Sequence, residues 1–247
     1  MRVLPLVTLA SLALLPVSSQ ALELNEQFSL LVTPELLSDY RSSGISQTLG
    51  DPAAQLDLLL THASGLYAGV WTSNVDYGHD WERDDHYGTR QEVDYYAGYY
   101  WQIGDAVSLD AYYNRYSYPG ESQFNGADVY LTLDAYGFFV GGKHSDDTDQ
   151  TSASLFAGYR TLLPLDIGLE LKFENVDYKD KLFFNEDWSH GEEDYNNWSL
   201  GLQRDVLGVT WGLSYVDTDL SDAECLSFSG YDDLCDATLI ASAKKTF

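Results

Sequence analysis

Along most of the 247-residue chain, polar and apolar side chains alternate with a period of two, the spacing that sends successive side chains to opposite faces of a β-strand. From Glu92 to Trp101, the residues Glu92, Asp94, Tyr96, Gly98 and Tyr100 share one face, and Val93, Tyr95, Ala97, Tyr99 and Trp101 share the other. Asp128, Tyr130, Thr132 and Asp134 stand in the same way against Val129, Leu131 and Leu133, and Glu170, Lys172 and Glu174 against Ile167, Leu169, Leu171 and Phe173. Helical periodicity is nearly absent. The pattern predicts twelve strands: Phe28–Tyr40, Ala54–His62, Leu66–Asp76, Arg90–Ile103, Val107–Tyr118, Ala127–Tyr136, Phe138–Ser145, Thr151–Thr161, Asp166–Tyr178, Asn196–Asp205, Val209–Asp217 and Ala237–Phe247. The first and third alternate less regularly, and Pro34 brings no N–H to a ladder.

The connections decide the architecture. Short links at Ala63–Gly65, Gly104–Ala106, Gly137, Leu162–Leu165 and Val206–Gly208 alternate with longer ones at Arg41–Ala53, Tyr77–Thr89, Pro119–Gly126, Asp146–Gln150, Lys179–Tyr195 and Thr218–Asp236. Strict alternation of tight turns with long polar loops is the mark of an all-β, transmembrane, antiparallel up-and-down barrel, with turns at the periplasm and acidic loops outside. A soluble β-sandwich imposes no such alternation. An even strand count places both termini at the periplasm.

The two faces differ in the sense that lipid requires. Charged residues within strands share their face with Gly, Ser and Thr, which suits a hydrated lumen, whereas the opposite face is apolar with aromatic residues near strand ends. Tyr99, Trp101, Tyr159 and Phe247 are expected in a periplasmic belt, and Tyr95, Tyr113, Trp198 and Tyr215 in an outer one. The lumen-lining candidates are Asp57, Asp94, Asp110, Asp128, Asp134, Glu170, Glu174 and Asp205, countered by Arg160, Lys172, Lys143 and Arg204. Arg115 falls on the lipid-side register, where its guanidinium can snorkel to anionic lipopolysaccharide. Phe247 ends the row Leu239, Ala241, Ala243 and is the expected assembly residue of the last strand.

Composition narrows the function. With 39 Asp plus Glu against 13 Lys plus Arg, a formal net charge of -26 opposes nucleic-acid binding, which needs a cationic face. An apolar content of 45% is too high for a disordered acidic tail. Residues 1–21 read as a cleaved secretory signal: Arg2, an apolar stretch from Val3 to Val17, and small residues before Gln20 and at Ala21. Residues 22–247 are then a single barrel domain, destined for the outer membrane of a Gram-negative cell. Cys225 and Cys235, in one external loop of an exported protein, are expected to form a disulfide.

The stretch from Ser38 through Asp39, Tyr40, Arg41, Gly44 and Gln47 to Thr48, then Asp51-Pro52-Ala53, Ser64 to Asp76 and Glu92 to Tyr99, resembles the TorF-type family of proteobacterial outer-membrane porins. The resemblance covers residues 38–99 and implies an outer-membrane barrel with a poorly characterised porin role and no catalytic residues. Ser43 stands where the family motif has a second Arg.

Chemistry beyond transport has thin support. His144, Ser145 and Asp147, or Ser189, His190 and Glu192, contain hydrolase residue types, but neighbours in an extended strand point to opposite faces. No catalytic role and no cofactor are assigned. Asp146, Asp147 and Asp149 lack the Gly and distal Glu of an EF-hand. The acidic loops, with Asp80, Glu82, Asp84 and Asp85, then Glu186 to Asp194, then Asp217 to Asp236, are either a solvated rim or a weak divalent-cation site. The expected function is a channel for passive diffusion of small polar solutes, its lumen carboxylates favouring cations. The alternatives are a barrel enzyme acting on lipid and a plugged barrel serving structure or adhesion. Expected partners are outer-membrane lipid and lipopolysaccharide, the barrel assembly machinery during biogenesis, and the solutes.

Overall fold

The computed structural model describes residues 21–80, 83–147 and 151–247, with the side chains of 146 and 147 outside that description. The expected signal segment, apart from Ala21, therefore lies outside the described residues, as do Glu82 and Asp149. Twelve barrel strands are described: β1 (Phe28–Leu37), β2 (Ala53–His62), β3 (Leu66–Asn74), β4 (Gln91–Gly104), β5 (Val107–Ser117) and β6 (Gly126–Ala135), followed by β7 (Phe138–Asp147), β8 (Thr151–Leu163), β9 (Ile167–Asp177), β10 (Asp194–Val206), β11 (Val209–Thr218) and β12 (Thr238–Lys244). Each pairs antiparallel with its neighbours in sequence, and β12 returns to β1, closing the barrel. All twelve expected strands are present, with no end displaced by more than three residues.

The turns explain the tight links. Tyr136 and Gly137 have φ of 54° and 86°, and Leu207 and Gly208 have 55° and 74°. Two successive left-handed residues define the type I′ hairpin, whose twist matches that of the flanking strands.

Register keeps the faces separate around the wall. Asp57, Trp71, Asp94, Tyr116 and Gly126 follow one another across β2 to β6, while Leu58, Val70, Tyr95, Arg115 and Ala127 follow one another on the opposite face. Outward residues such as Tyr95, Leu131, Leu155 and Leu213 are exposed on all sides of the barrel. An apolar surface this continuous is stable only against lipid. Tyr99, Trp101, Tyr159, Tyr113, Trp198 and Tyr215 occupy the outward row as expected, and so does Arg115. Arg204 is a correction: it lies opposite Trp211 on the outward row, because the period of two places it there between inward Gln203 and Asp205.

The seam between β12 and β1 is the shortest ladder in the barrel. Its pairs are Ser242 with Leu37, Ala243 with Leu36 and Lys244 with Glu35. Beyond them, Val32 and Phe247 exchange backbone bonds of 3.1 and 2.9 Å, and Lys245 N–H donates to the Pro34 carbonyl at 3.2 Å. Alternate residues of an antiparallel strand aim both backbone groups at the same neighbour, so the N–H that Pro34 lacks is missing from this seam. The awkward proline therefore sits where the ladder is already thin.

The long loops are not polar throughout, and at the loop end of the barrel they carry an apolar core. Ile45 from the loop after β1, Phe183 from the loop after β9, and Leu234 from the loop after β11 pack with Val176 and Tyr195 around a buried disulfide between Cys225 and Cys235. Total burial of a ring such as Phe183 is worth about 1.5–3 kcal/mol. The last loop carries α1 (Asp222–Ser229), opened by a reciprocal cap of Ser221 and Glu224 and closed by Gly230 in the left-handed conformation. The acidic side chains remain on the outer surface of this cap, and the apolar residues scattered among them form its core.

Deleting Phe247 removes two of the backbone bonds that extend the seam, each worth about 1 kcal/mol. The expected outcome is impaired barrel closure, seen as loss of heat-modifiable gel mobility, with unchanged export across the inner membrane.

Candidate functional site: the barrel lumen

The loop after β1, residues 38–52, turns inward and crosses the lumen as a strap. Its centre is the buried carboxylate of Asp39, which receives Arg41 Nε at 2.7 Å and Ser46 Oγ at 2.6 Å and lies 3.2 Å from Thr48 Oγ1. A polar segment can be buried because its own donors surround that carboxylate. One side of the strap meets β3 and β4, where Tyr40 donates to Glu92 at 3.1 Å and its ring packs edge-on against Trp71. On the other side, the Ser43 carbonyl accepts from the Tyr195 hydroxyl at 2.8 Å. Gly44, with φ of 90°, lies so close to β10 and β11 that a Cβ would come within 2.6 Å of Thr218 and 2.9 Å of Asn197. These two contact regions lie on opposite walls of a twelve-strand barrel. Arg41 also donates to the carbonyls of Gly44 and Asp236, tying the strap to the disulfide loop.

The walls are unequal. On β3 to β6 the lumen is filled by Tyr67, Tyr96, Tyr112 and Tyr130, whose successive ring centroids lie 6.3, 6.5 and 4.4 Å apart. These rings lie flat because inward positions on neighbouring strands are glycine: Tyr96 covers Gly69, and Tyr67 covers Gly98. Phe139 covers Gly158 in the same manner on β8. The opposite wall, β10 to β12, presents Gly201, Gly212, Ser199, Ser214 and Ser242 and leaves free space on its side at the turn end.

The lumen holds two cavities, one along β8 to β12 and one against β4 to β8, which meet at Tyr40 and Ser43 of the strap. The lower, at the turn end, has a volume of about 770 Å³ and is lined by Glu35, Asp39 and Glu170 together with Arg41, Arg160, Lys172 and Lys244. The upper, of about 540 Å³, is lined by Asp76, Glu92, Asp94 and Asp128 with Lys143. Charge is therefore polarised along the axis, acidic above the strap and nearly balanced below.

Of the twelve charged candidates, all but Arg204 fall on the inward register. Asp57 accepts from Tyr96 at 2.6 Å, Asp110 from Tyr67 at 2.7 Å, Asp94 from Asn114 at 2.7 Å and Asp128 from Tyr130 at 3.0 Å. Arg160 bridges Asp134 and Glu170 at 2.7 and 2.6 Å, with its guanidinium 4.0 Å from the Phe139 ring centroid. Lys172 pairs with Glu174 at 3.0 Å, and Asp205 accepts from Thr210. Lys143 stands opposite Tyr130 and Ser154 on the inward row. Sequence reasoning found these charges but missed the strap and the ring-covered wall. Glycines recurring on inward rows opposite aromatic residues were the available signal for the latter.

The hydrolase residue types do not assemble. His144 lies on the outward row and Ser145 on the inward one. His190 contacts Glu192 at 3.1 Å, whereas Ser189 Oγ receives a bond from Asn185. Among the described residues no three His, Cys, Asp or Glu side chains are grouped as metal ligands.

Beside the cap, the loops after β3 and β5 are latched together. Arg83 donates to Glu121 at 2.7 Å and pairs with Asp80, while the Gly88 N–H donates to Glu121 at 2.6 Å. The Arg83 guanidinium, aided by that N–H, holds the Glu121 carboxyl below its usual range.

A model of the family described as bacterial protein of unknown function (Gcw_chp) matches residues 25–247. The chain belongs to this family. None of the curated proteins matches it in sequence. Among solved structures, a chain from work on in-meso crystallization of membrane proteins is 12% identical with a TM-score of 0.51, covering 88% of this chain and 83% of that one. The KdgM porin, solved with disordered oligogalacturonate, is 9% identical at a TM-score of 0.49, covering 88% and 98%. The NanC porin is 11% identical at 0.49, covering 88% and 97%. These likenesses concern the fold of this Gcw_chp member, a closed twelve-stranded barrel.

Replacing Arg41 with Ala leaves the buried Asp39 carboxylate without its cation, and breaking such a pair costs about 3–5 kcal/mol. The strap of the Arg41→Ala protein should become protease-sensitive while heat-modifiable mobility persists. The loop latch has its own pH dependence. Because the Glu121 pKa is depressed in the folded state, the latch contributes fully above the ordinary carboxylate range, near pH 4.3, and is lost as pH falls through the lowered value. Amide exchange in residues 83–90 should accelerate in that acid window, and Glu121→Gln should abolish the transition.

Proposed function

We propose that this protein is an outer-membrane channel for passive movement of small polar solutes, with cations favoured in its loop-side half. The observation that carries the reading is the lumen itself: a polar inward face with cavities on both sides of one strap, inside a wall whose outward face is apolar. Solute passes along β4 to β8 above the strap and along the small-residue side of β10 to β12 below it, and the strap sets the narrowest section. Excess carboxylate above the strap raises local cation concentration in a low-dielectric passage. Outer-membrane lipid surrounds the apolar rows, Arg115 reaches lipopolysaccharide, and the barrel assembly machinery inserts the chain after signal removal. The TorF-type resemblance of residues 38–99 agrees with this reading. A second reading, a plugged structural barrel, draws on the apolar cap that packs over the loop end.

Bilayer reconstitution under a salt gradient separates the two. The channel should conduct with a cation-selective reversal potential that shrinks when Asp94 and Asp128 are changed to Asn. Changing Asp134 to Asn and Glu170 to Gln should matter less, since both share Arg160. Selectivity should weaken as the Debye length falls from about 10 Å at 0.1 M salt to about 3 Å at 1 M. Anion preference would refute the field mechanism, and absence of conductance from folded protein would favour the plugged barrel.

A further inference from the structure

The upper cavity has an imbalance of hydrogen-bonding groups that the channel reading does not use. Asn114 on β5 stands directly opposite Asp128 on β6, and its amide donates to Asp94 Oδ2 on β4 at 2.7 Å. That bond leaves the Asn114 Oδ1 without a donor. Asp94 Oδ1 and Asp128 Oδ1 also lack donors, the second oxygen of Asp128 being taken by the Tyr130 hydroxyl. Asn114 is only 7% exposed and Asp128 only 6%, and all three residues line the cavity. A buried acceptor without a donor costs about 1–3 kcal/mol, and more when it is charged.

The three orphan atoms are all acceptors, so the complementary group is one that donates and does not accept. An ammonium offers three donors and a guanidinium five, and neither has an acceptor. Charge selects the same class: Glu92, Asp94, Asp128 and Asp76 face Lys143 alone across the cavity, with Arg90 reaching Asp76 from outside at 3.2 Å. The walls argue for an organic body rather than a bare ion. Tyr40, Tyr77, Tyr118 and Tyr130 line the same cavity, and aromatic faces attract cations. A volume of about 540 Å³ suits a small organic molecule.

We infer that the upper lumen binds a small organic cation, whose ammonium or guanidinium group is held by Asp94, Asn114 and Asp128 among the tyrosine rings. This rests on the lumen being reachable from solution, as the channel reading requires. It names a solute class for that channel.

The test is calorimetric titration of the folded full-length barrel in detergent with tyramine, with its neutral alcohol counterpart tyrosol, and with calcium chloride. Tyramine should bind, tyrosol should bind at least tenfold more weakly, and Asp128→Asn should weaken tyramine at least tenfold. Heat-modifiable mobility reports folding of the variant, and Asp94→Asn provides a second variant with the same expected loss. Equal binding of tyramine and tyrosol, no binding of tyramine, or calcium binding in its place would overturn the inference. The same preparation in bilayers separates the two readings: tyramine binding without any conductance would overturn the channel and leave the site standing.

Discussion

In a membrane, each backbone N–H and C=O of the wall must find its partner within the wall, because lipid supplies none. Closure of the sheet is therefore the constraint on which everything else here depends, and it is met most thinly between β12 and β1. Three residue pairs carry that seam, extended by the mutual bonds of Val32 and Phe247, one bond to the Pro34 carbonyl, bonds between Ser38 and Ala241, and a contact of Thr33 with Thr246. With the wall closed, the period of two divides the chain without further choice into a lipid surface and a lumen. Loops and strap are then built on a frame that is already fixed.

The lumen shows how the interior of a wide barrel is narrowed. Rings laid flat over glycines thicken one wall, a strap centred on Asp39 spans the bore, and glycine and serine keep the opposite wall thin. Four inward carboxylates are restrained by neighbours: a tyrosine hydroxyl holds Asp57 and Asp110 each, and a shared arginine holds Asp134 and Glu170. Restraint of this kind fixes where the charge sits. It also explains why the two halves of the lumen differ, since the cations are concentrated below the strap.

The strands, their order and the inward charges were legible in the sequence because period-two alternation is a local signal, repeated twelve times and punctuated by turn residues. The Arg204 placement failed on one residue of phase, which reverses a side chain completely. The strap was not legible. Asp39, Ser46 and Thr48 have the composition of a solvated loop, and only their contacts with one another and with Glu92, Tyr195 and Asp236, far away in sequence, make burial tolerable. The cap was half legible: Ile45, Leu182, Phe183, Leu220 and Phe228 interrupt the acidic loops, but nothing local indicates that loops so far apart in the chain converge.

The contact between Arg41 and the Asp236 carbonyl joins residues 195 positions apart, one just after the first barrel strand and the other just before the last. Such a bond forms only when both ends of the chain have been brought together, and the loop-closure cost is borne by the barrel rather than by the strap. The disulfide closes a span of only ten residues and needs no such meeting. Biogenesis consequently has an order written into it: the crosslinked loop can be ready early, whereas the strap docks last. Until that moment the nascent barrel holds a wider bore than the finished one.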